Sequence, residues 1–308
     1  MHYQYSPIRH RGKLPWPDNN QVAMIFTANL EFWDLLKDTD KPYYAGGPAV
    51  LPDSLPGNIP DFPNFTWRQY GQRTGIWRIF SCFEEANVPL SCTMNAKTAS
   101  EMPQLIDTVK ENDWELLAHN FEQGELLTNF ANEPDKEREI IKATLEVYEK
   151  TMGRPAKGWL SSSLRGTMNT CDIISDFGLE FYCDFMNDDQ PYMIKTKSGK
   201  PLVSIPYSNE INDFTILTRR GHNNDEYLDI LKTELTELVR EANKDGSGRL
   251  MNLGLHPHVS GRAFRMPVLR EFLKFASELD GVWFPKREEV AAWYLDHAET
   301  HIPGQSGI

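Results

Sequence analysis

The chain has 308 residues, of which 40% are hydrophobic and 25% charged, and its 32 basic and 44 acidic side chains give a formal charge of −12. A chain of this length and composition buries a large core without needing disulfides or a structural metal. The acidic excess argues against nucleic acids and anionic membranes as partners, because both are bound through clustered Lys and Arg.

The sequence lacks the features of a secreted or membrane protein. Its basic N-terminal stretch has no apolar segment of the kind found in signal peptides, and no run of 18 apolar residues could span a bilayer. The cysteines show no CxxC spacing and lie in or beside apolar runs; they are Cys82, Cys92, Cys171 and Cys183. We therefore expect a soluble, cytoplasmic protein with buried, reduced thiols.

Short apolar runs alternate with longer amphipathic segments along the chain. The predicted strands are Val22–Leu30, Pro89–Asn95, Trp114–Ala118, Lys157–Leu160, Leu179–Phe185, Leu202–Pro206, Leu250–Leu255 and Val282–Phe284. The predicted helices are Gly75–Ala86, Pro103–Asn112, one from Pro134 to Gly153, Asp225–Ala242, Pro267–Leu279 and Arg287–Ala298. This alternation indicates parallel strands joined by helical crossovers, in an open sheet or a barrel.

We see no internal repeat and no linker, so one domain is expected. It would span residues 21–300, between an N-terminal arm (1–20) and a C-terminal tail (301–308). One segment, 41–64, breaks the alternation with six prolines and three glycines. A loop of this length is usually a lid, a binding wall or an oligomer contact, and its aromatic residues favour a packed loop over a disordered insertion.

Polar side chains follow several of the predicted strands at the point where each strand ends. In parallel α/β folds the active site forms at the carboxyl ends of the strands, so these residues are the site candidates. They are Asn29 and Glu31 after the first strand, His119 after the third, Trp159, Asp188, and His256 with His258 and Arg262 near the C-terminus. These side chains would meet at one mouth if the sheet curls into a barrel.

The spacing of the candidate ligands argues against a strongly bound metal. The two histidines of HPH (256–258) would point to one side, yet no HExxH or H-x3-H accompanies them, and His119 is followed at +4 by Gln123, a poor ligand. No GxSxG elbow, GxGxxG or Walker loop is present, so a serine nucleophile and a nucleotide cofactor are not expected.

Six segments resemble the polysaccharide deacetylase (NodB-like) family, and more closely its cytoplasmic branch, which includes the metal-independent allantoinases and cyclic-imide hydrolases. They are NFTWRQYGQRTGIWRIF (64–80), LLAHNFEQ (116–123), GRPAKGWLSSSLRGTMNT (153–170), CDFMNDDQPY (183–192), YSNEIND (207–213) and GLHPHVSGRAFRM (254–266). The likeness covers residues 21–295. It implies a single distorted (β/α)7 barrel and hydrolysis of a carbon–nitrogen bond other than a peptide bond.

The chain departs from the family pattern where a metal would bind. Metal-dependent members carry an Asp pair after the first strand and an H-x3-H after a later one, whereas this chain has Asn29 with Glu31 and His119 with Gln123. The Arg that holds the base in the family's deacetylases is replaced near Leu160 by an uncharged residue. The resemblance therefore implies opening of a small cyclic amide or imide, allantoin-like, without a tightly bound metal. A weakly bound zinc or other divalent ion would use Glu31 and His119.

Amide hydrolysis needs a base for water, an acid for the leaving nitrogen and donors for an oxyanion. We assign water activation to His119 or Glu31 and the acid or oxyanion role to His256. Asn29 and the backbone around Trp159 are expected to donate to the substrate. Asp188 and Arg262 are further substrate-binding candidates.

Two alternatives stay open from the sequence. One is a metal-dependent N-deacetylase of an acetylated sugar, and the other is a non-catalytic binding protein with a decayed site. The partner expected from the charge is a small neutral amide rather than a polyanionic polymer. The resemblance also implies a homodimer or homotetramer, with the N-terminal arm and the Pro-rich loop at the interface.

Overall fold

The computed structural model describes residues 2–36 and 59–304. In this part of the chain nine strands form one sheet. They are β1 (Val22–Leu30), β2 (Ser91–Met94), β3 (Glu115–Ala118), β4 (Gly158–Trp159), β5 (Phe181–Tyr182), β6 (Tyr192–Met193), β7 (Val203–Ser204), β8 (Arg249–Leu255) and β9 (Val282–Trp283). The α-helices are α1 (Phe62–Tyr70), α2 (Ile76–Ala86), α3 (Ala96–Glu101), α4 (Pro103–Glu111), α5 (Pro134–Met152), α6 (Thr170–Asp176), α7 (Asn224–Asp245), α8 (Met266–Glu278) and α9 (Arg287–His301).

The strands follow the order β6-β7-β5-β4-β3-β2-β1-β8, and β9 pairs with the start of β1. All pairs are parallel except β6 with β7. The backbone of Leu250 in β8 donates to the Asp189 carbonyl at 2.7 Å, so the loop before β6 helps to close the curled sheet where strand pairing stops. The α/β architecture predicted from the alternation is therefore confirmed.

The central strand, β1, is buried along its whole length, as expected for a strand with helices or core on both faces. Its alternate side chains enter two apolar layers. Phe26 packs against Phe83 and Phe272 of the surrounding helices. Ile25 points to the inside of the curled sheet, where it belongs to the same buried cluster as Phe181. Both layers fix the position of the strand end that carries the site.

The N-terminal arm packs along its own chain. Trp16 is buried and its indole N–H donates to the carbonyl of Arg249 at 2.8 Å. Arg11 pairs with Asp188 at 2.5 Å, and Trp293 of α9 donates to the Pro15 carbonyl at 2.7 Å. The arm therefore covers the end of the barrel at which β8 begins. The carboxyl ends of β1, β3 and β8 lie at the opposite end.

The long elements were predicted within a few residues, whereas several short ones were not. The sequence pattern missed α1, α3, α6 and β6, and two π-helical turns at 71–75 and 214–219. Most of the predicted Pro-rich loop, residues 41–58, lies outside the described residues. Its end is helical, because Asp61 accepts from the Asn64 backbone at 3.2 Å and Pro63 lies in the first turn of α1.

Two other expectations can be compared with the structure directly. The four cysteines are free and buried, as predicted. Among the described residues, no helix is long and apolar enough to cross a membrane.

Candidate active site

A cavity of about 640 Å³ opens at the carboxyl ends of the parallel strands. The structure brings five of the predicted site residues to its wall, namely Asn29, Glu31, His119, His256 and His258. The strand register explains this convergence. Leu30 pairs with Met94 and Met94 with Ala118, so β1, β2 and β3 end at one level, and His119 follows directly. His256 follows the last residue of β8 in the same way.

His119 is held as a neutral imidazole. Its Nδ1 lies 2.6 Å from the carbonyl of Leu160, so Nδ1 carries the hydrogen and donates. Burial lowers the pKa of His119 to about 4, against smaller opposing effects from Leu160 and Gln123. Its buried Nε2 makes no hydrogen bond of acceptable geometry with any described residue. Nε2 is therefore a lone-pair acceptor at a cavity wall at neutral pH.

His256 is held by a carboxylate instead. Its Nδ1 lies 2.7 Å from Oδ1 of Asp213, and its backbone N–H donates to Oδ2 at 2.7 Å. Ser260 donates to the same Oδ2 at 2.6 Å, so the buried Asp213 is fixed on both oxygens. Burial lowers the pKa of His256, but the charge and hydrogen bond of Asp213, with the charge of Glu31, outweigh it and leave the pKa raised.

Glu31 lies between His256 and the part of α1 that lines the cavity. Its Oε1 lies 3.7 Å from Nε2 of His256, and its Oε2 accepts from the Trp33 indole at 3.3 Å. The Arg68 guanidinium stacks on the Trp33 ring at 3.7 Å and interacts with Glu31 by charge. Burial nevertheless raises the pKa of Glu31 above its ordinary value, because it outweighs His256 and Arg68.

Neutral donors complete the wall beside β8. The Tyr207 hydroxyl accepts from Nδ2 of Asn212 at 3.1 Å, and burial raises the pKa of Tyr207 to about 12, so it keeps its proton. Gly254 makes room for this ring, since a β-carbon there would overlap the hydroxyl. Asn29 donates to the Leu255 carbonyl at 3.2 Å and accepts from Thr93 at 3.3 Å.

The structure corrects the expectation that the backbone around Trp159 donates to the substrate. Trp159 is fully buried, and its indole N–H donates to the Ser161 hydroxyl at 3.0 Å rather than into the cavity. The backbone N–H groups of Leu160, Ser161 and Ser162 donate to Ala118, Asp184 and Asn120, in that order. These amides are engaged within the protein because they hold the 161–166 loop in place.

Asp188 and Arg262 are not brought to the cavity either. After β5 the chain turns back along the barrel and carries Asp188 to the opposite end, where Arg11 binds both of its oxygens. Arg262 turns away to stack on the Tyr70 ring at 3.6 Å and donates to the His258 carbonyl at 3.3 Å. Both placements depend on tertiary structure that a strand-end pattern does not contain.

The donor set does not fit a catalytic zinc. Such a site needs three protein N or O ligands around an open position. In the described parts of the chain no group of three His, Cys, Asp or Glu side chains could hold an ion. His119 and Glu31 are the residues at the expected position, and Gln123 instead accepts from the Ser162 hydroxyl at 3.0 Å. We therefore derive no catalytic step through a metal.

Several cavity residues were not selected from the sequence. They are Arg68, Asn212, Tyr207, Arg165 and Arg219, together with Asp213 behind His256. All of these residues except Arg219 lie within segments that resemble the family, so the resemblance was the available signal for them. Their roles could not be assigned because their partners are distant in sequence: Asp213 is 43 residues from His256.

The chain was compared with known proteins. No family model matches it. A protein of Schizosaccharomyces pombe, provisionally named a polysaccharide deacetylase, is 26% identical over 92% of this chain and 93% of its own length. The crystal structure of PuuE allantoinase aligns with a TM-score of 0.80 at 24% identity, over 97% of this chain and 95% of that one.

A second solved structure shares the fold. A Pseudomonas aeruginosa PAO1 protein, also provisionally named a polysaccharide deacetylase, aligns with a TM-score of 0.79 at 24% identity, over 94% of this chain and 95% of that one. These structures confirm the distorted barrel that the resemblance implies. The resemblance to polysaccharide deacetylases is confirmed, and the chain shares their NodB-like barrel fold.

Proposed function

We propose that this protein is a hydrolase that opens a small cyclic amide or imide, allantoin-like, without a tightly bound metal. The observation that carries the proposal is the pair of histidines in one cavity whose surroundings move their pKa values in opposite directions. Such a divergence is the usual sign of a base and an acid that act on one substrate.

In the proposed reaction His119 is the base. Nε2 of His119 accepts a proton from a water molecule as the water oxygen attacks the ring carbonyl carbon. The carbon–nitrogen bond then breaks, and the imidazolium of His256 donates its Nε2 proton to the leaving nitrogen. The proton taken up by His119 passes to solvent and His256 takes up a proton from solvent, which returns both histidines to their starting states. Glu31 and Asp213 stabilise the charge of His256.

The oxyanion of the tetrahedral intermediate needs donors other than the backbone amides of the 161–166 loop. Tyr207 suits this role, because it lies at the cavity wall and burial keeps its hydroxyl protonated, so that it can donate to an oxyanion. Arg68 adds positive charge at the same wall. Side-chain donors of this kind serve a carbonyl that is already electrophilic, such as that of an imide or ureide, better than an unactivated acetamide.

Two further facts support a small ring as the substrate. The cavity volume of about 640 Å³ is in the range of sites for small molecules. The solved structures that align over nearly the whole chain include one named as an allantoinase.

A turnover screen tests the proposal. The purified full-length chain is offered allantoin, hydantoin, succinimide, dihydrouracil and N-acetylglucosamine oligomers, and ring opening and acetate release are followed separately. We expect opening of at least one ring, lost in H119A. Acetate release from the sugars with no ring opened would overturn the proposal, and tight binding of a ring without turnover would favour a non-catalytic role.

A further inference from the structure

The cavity has a charge opposite to that of the whole chain. Only one carboxylate, Glu31, lies among the described residues that line it, whereas three arginines do, namely Arg68, Arg165 and Arg219. In a chain with a formal charge of −12, this concentrates positive potential at one concave surface. The net charge of the chain therefore does not predict the charge of the ligand that this cavity binds.

Two of these arginines stand at the rim on different walls. Arg165 is exposed on the 161–166 loop after β4, and Arg219 is exposed at the end of the π-helical turn after β7. Neither forms an ion pair with a carboxylate in the described residues, although Arg219 stacks on the Phe214 ring at 5.4 Å. Arg219 also lowers the pKa of His256 by its charge, so its guanidinium acts on the reacting end of the cavity.

The stability of the fold does not explain why Arg165 and Arg219 stand at the cavity rim without acidic partners. Exposed arginines that pair with acidic side chains occur elsewhere on the surface, for example Arg220, which binds Glu210. Arginines that face a cavity without such a partner repel one another and His256, a cost that an anionic ligand would remove. The planar guanidinium is also the group best suited to bind a carboxylate through two hydrogen bonds.

We propose that the substrate is an anionic ring: a cyclic amide or ureide that carries a carboxylate, which Arg165 and Arg219 bind at the rim while the ring carbonyl faces His119 and His256. This inference rests on the proposed ring-opening function and adds the charge of the substrate to it. It replaces the neutral amide that the net charge suggested.

Matched pairs of rings test the charge of the substrate. Hydantoin-5-acetate is compared with hydantoin, and dihydroorotate with dihydrouracil, because each pair differs in the carboxylate-bearing group. We measure kcat/KM with the full-length protein, and binding by calorimetry. We expect the acidic member of a pair to be preferred, with a preference that falls as salt is added. R165A and R219A should each lower the acidic-to-neutral ratio by about tenfold or more, the effect of losing one charge-assisted hydrogen bond.

R220A is the matched control, since it removes the same charge from the adjacent residue outside the cavity, and it should leave the ratio unchanged. Equal or better use of the neutral rings, or equal loss for both members in R165A and R219A, would overturn the inference while ring opening stands. If no ring is opened, the proposed function fails. Calorimetry then decides the inference separately: arginine-dependent binding of the acidic rings supports it, and no binding refutes it.

Discussion

The two histidines of the cavity differ because of what each Nδ1 contacts. His119 faces a backbone carbonyl in a buried site, so no negative charge offsets the loss of solvation and the neutral form is favoured. His256 faces the carboxylate of Asp213, so its cation is favoured despite burial. One side chain type thus provides both the proposed base and the proposed acid of amide hydrolysis.

Replacement of His119 tests the base. H119A should lower kcat by ~10²–10⁴-fold, the contribution of a positioned general base, with a smaller effect on KM. The measurement is the initial rate of ring opening at neutral pH. H10A, which removes an exposed histidine of the N-terminal arm, is the control. Full activity of H119A would assign water activation to another group, and Glu31 is then the candidate to replace.

The pH dependence follows from the same two residues. Protonation of His119 removes the base, so kcat/KM should fall as the pH drops toward about 4. Deprotonation of His256 removes the acid, so kcat/KM should also fall as the pH rises through a value above the ordinary 6.5. A bell-shaped profile with its alkaline limb above pH 6.5 is therefore expected. The profile is measured as kcat/KM against pH in buffers of constant ionic strength.

D213N identifies the group behind the alkaline limb. Without the Asp213 charge, the burial of His256 is offset only by the charge of Glu31, so the alkaline limb should move to lower pH while the acid limb stays in place. D229N removes an equal charge from an exposed position on α7 and should leave both limbs unchanged. An alkaline limb that is the same in D213N and the unmodified chain would show that His256 does not control it.

Tyr207 tests the oxyanion assignment at the same scale. Y207F keeps the ring over Gly254 and removes only the hydroxyl, so the fold should be retained. Loss of one oxyanion donor lowers kcat by ~10²–10³-fold in enzymes where it has been measured. We expect a loss toward that range in kcat with little change in KM. Unchanged kcat would leave Arg68 as the principal donor.

At the scale of elements, the 161–166 loop shapes one wall of the cavity through a single carboxylate. Asp184 accepts from the Ser161 backbone at 2.7 Å, the Gly166 backbone at 3.1 Å and the Tyr182 hydroxyl at 2.7 Å. Within this loop Ser163 and Leu164 have φ angles of 56° and 58°, which residues with a β-carbon rarely adopt. The two backbone bonds to Asp184 hold this loop in place, and the bond from Tyr182 fixes the carboxylate itself.

D184N should therefore destabilise both the loop and the protein. Asn presents an N–H₂ group to at least one buried donor, which leaves that donor unsatisfied and costs about 1–3 kcal/mol. The free energy of unfolding is measured by urea denaturation, and kcat reports the cavity wall. D176N, at an exposed position paired with Arg138, should cost less than ~1 kcal/mol. Equal stability of the two variants would contradict the role of Asp184.

The elements also show which parts of the fold are readable from sequence. β1 and β8 are long apolar runs and α5 ends at Gly153 with a φ of 69°, so periodicity and a helix stop locate them. β4 to β7 have two residues each and depend on neighbours for their pairing. The course of the chain between β5 and β6 is set by tertiary contacts. It places the predicted site residue Asp188 at the other end of the barrel.

For the site, the sequence located the residues that end strands and missed those that reach the cavity from elsewhere. Asn29, Glu31, His119 and His256 follow from strand ends alone. Arg68 comes from α1 and stacks on Trp33, a contact across 35 positions of the chain that no local pattern encodes. Asp213 acts through His256 rather than on the substrate, so only the folded geometry shows its partner.

At the scale of the whole molecule, the site's chemistry is set by a closed environment rather than by the composition of the chain. The curled sheet brings the ends of β1, β3 and β8 to one cavity and buries most of both histidines there, so the different partners of the two Nδ1 atoms can separate their pKa values. A low-dielectric wall strengthens each remaining interaction, including that of Glu31 with His256. The same folding event therefore forms the core and sets the protonation states.

This organisation predicts how the protein responds to removal of metal. Water activation is assigned to His119, and the described residues provide no trio of metal-binding side chains. Dialysis against EDTA should therefore leave kcat/KM for ring opening unchanged, and the metal content by mass spectrometry should be well below one ion per chain. Zinc added to H119A should not restore its activity. Activity that EDTA abolishes and zinc restores would instead require Glu31 and His119 to act as ligands, and both the base assignment and the metal-free mechanism would then fail together.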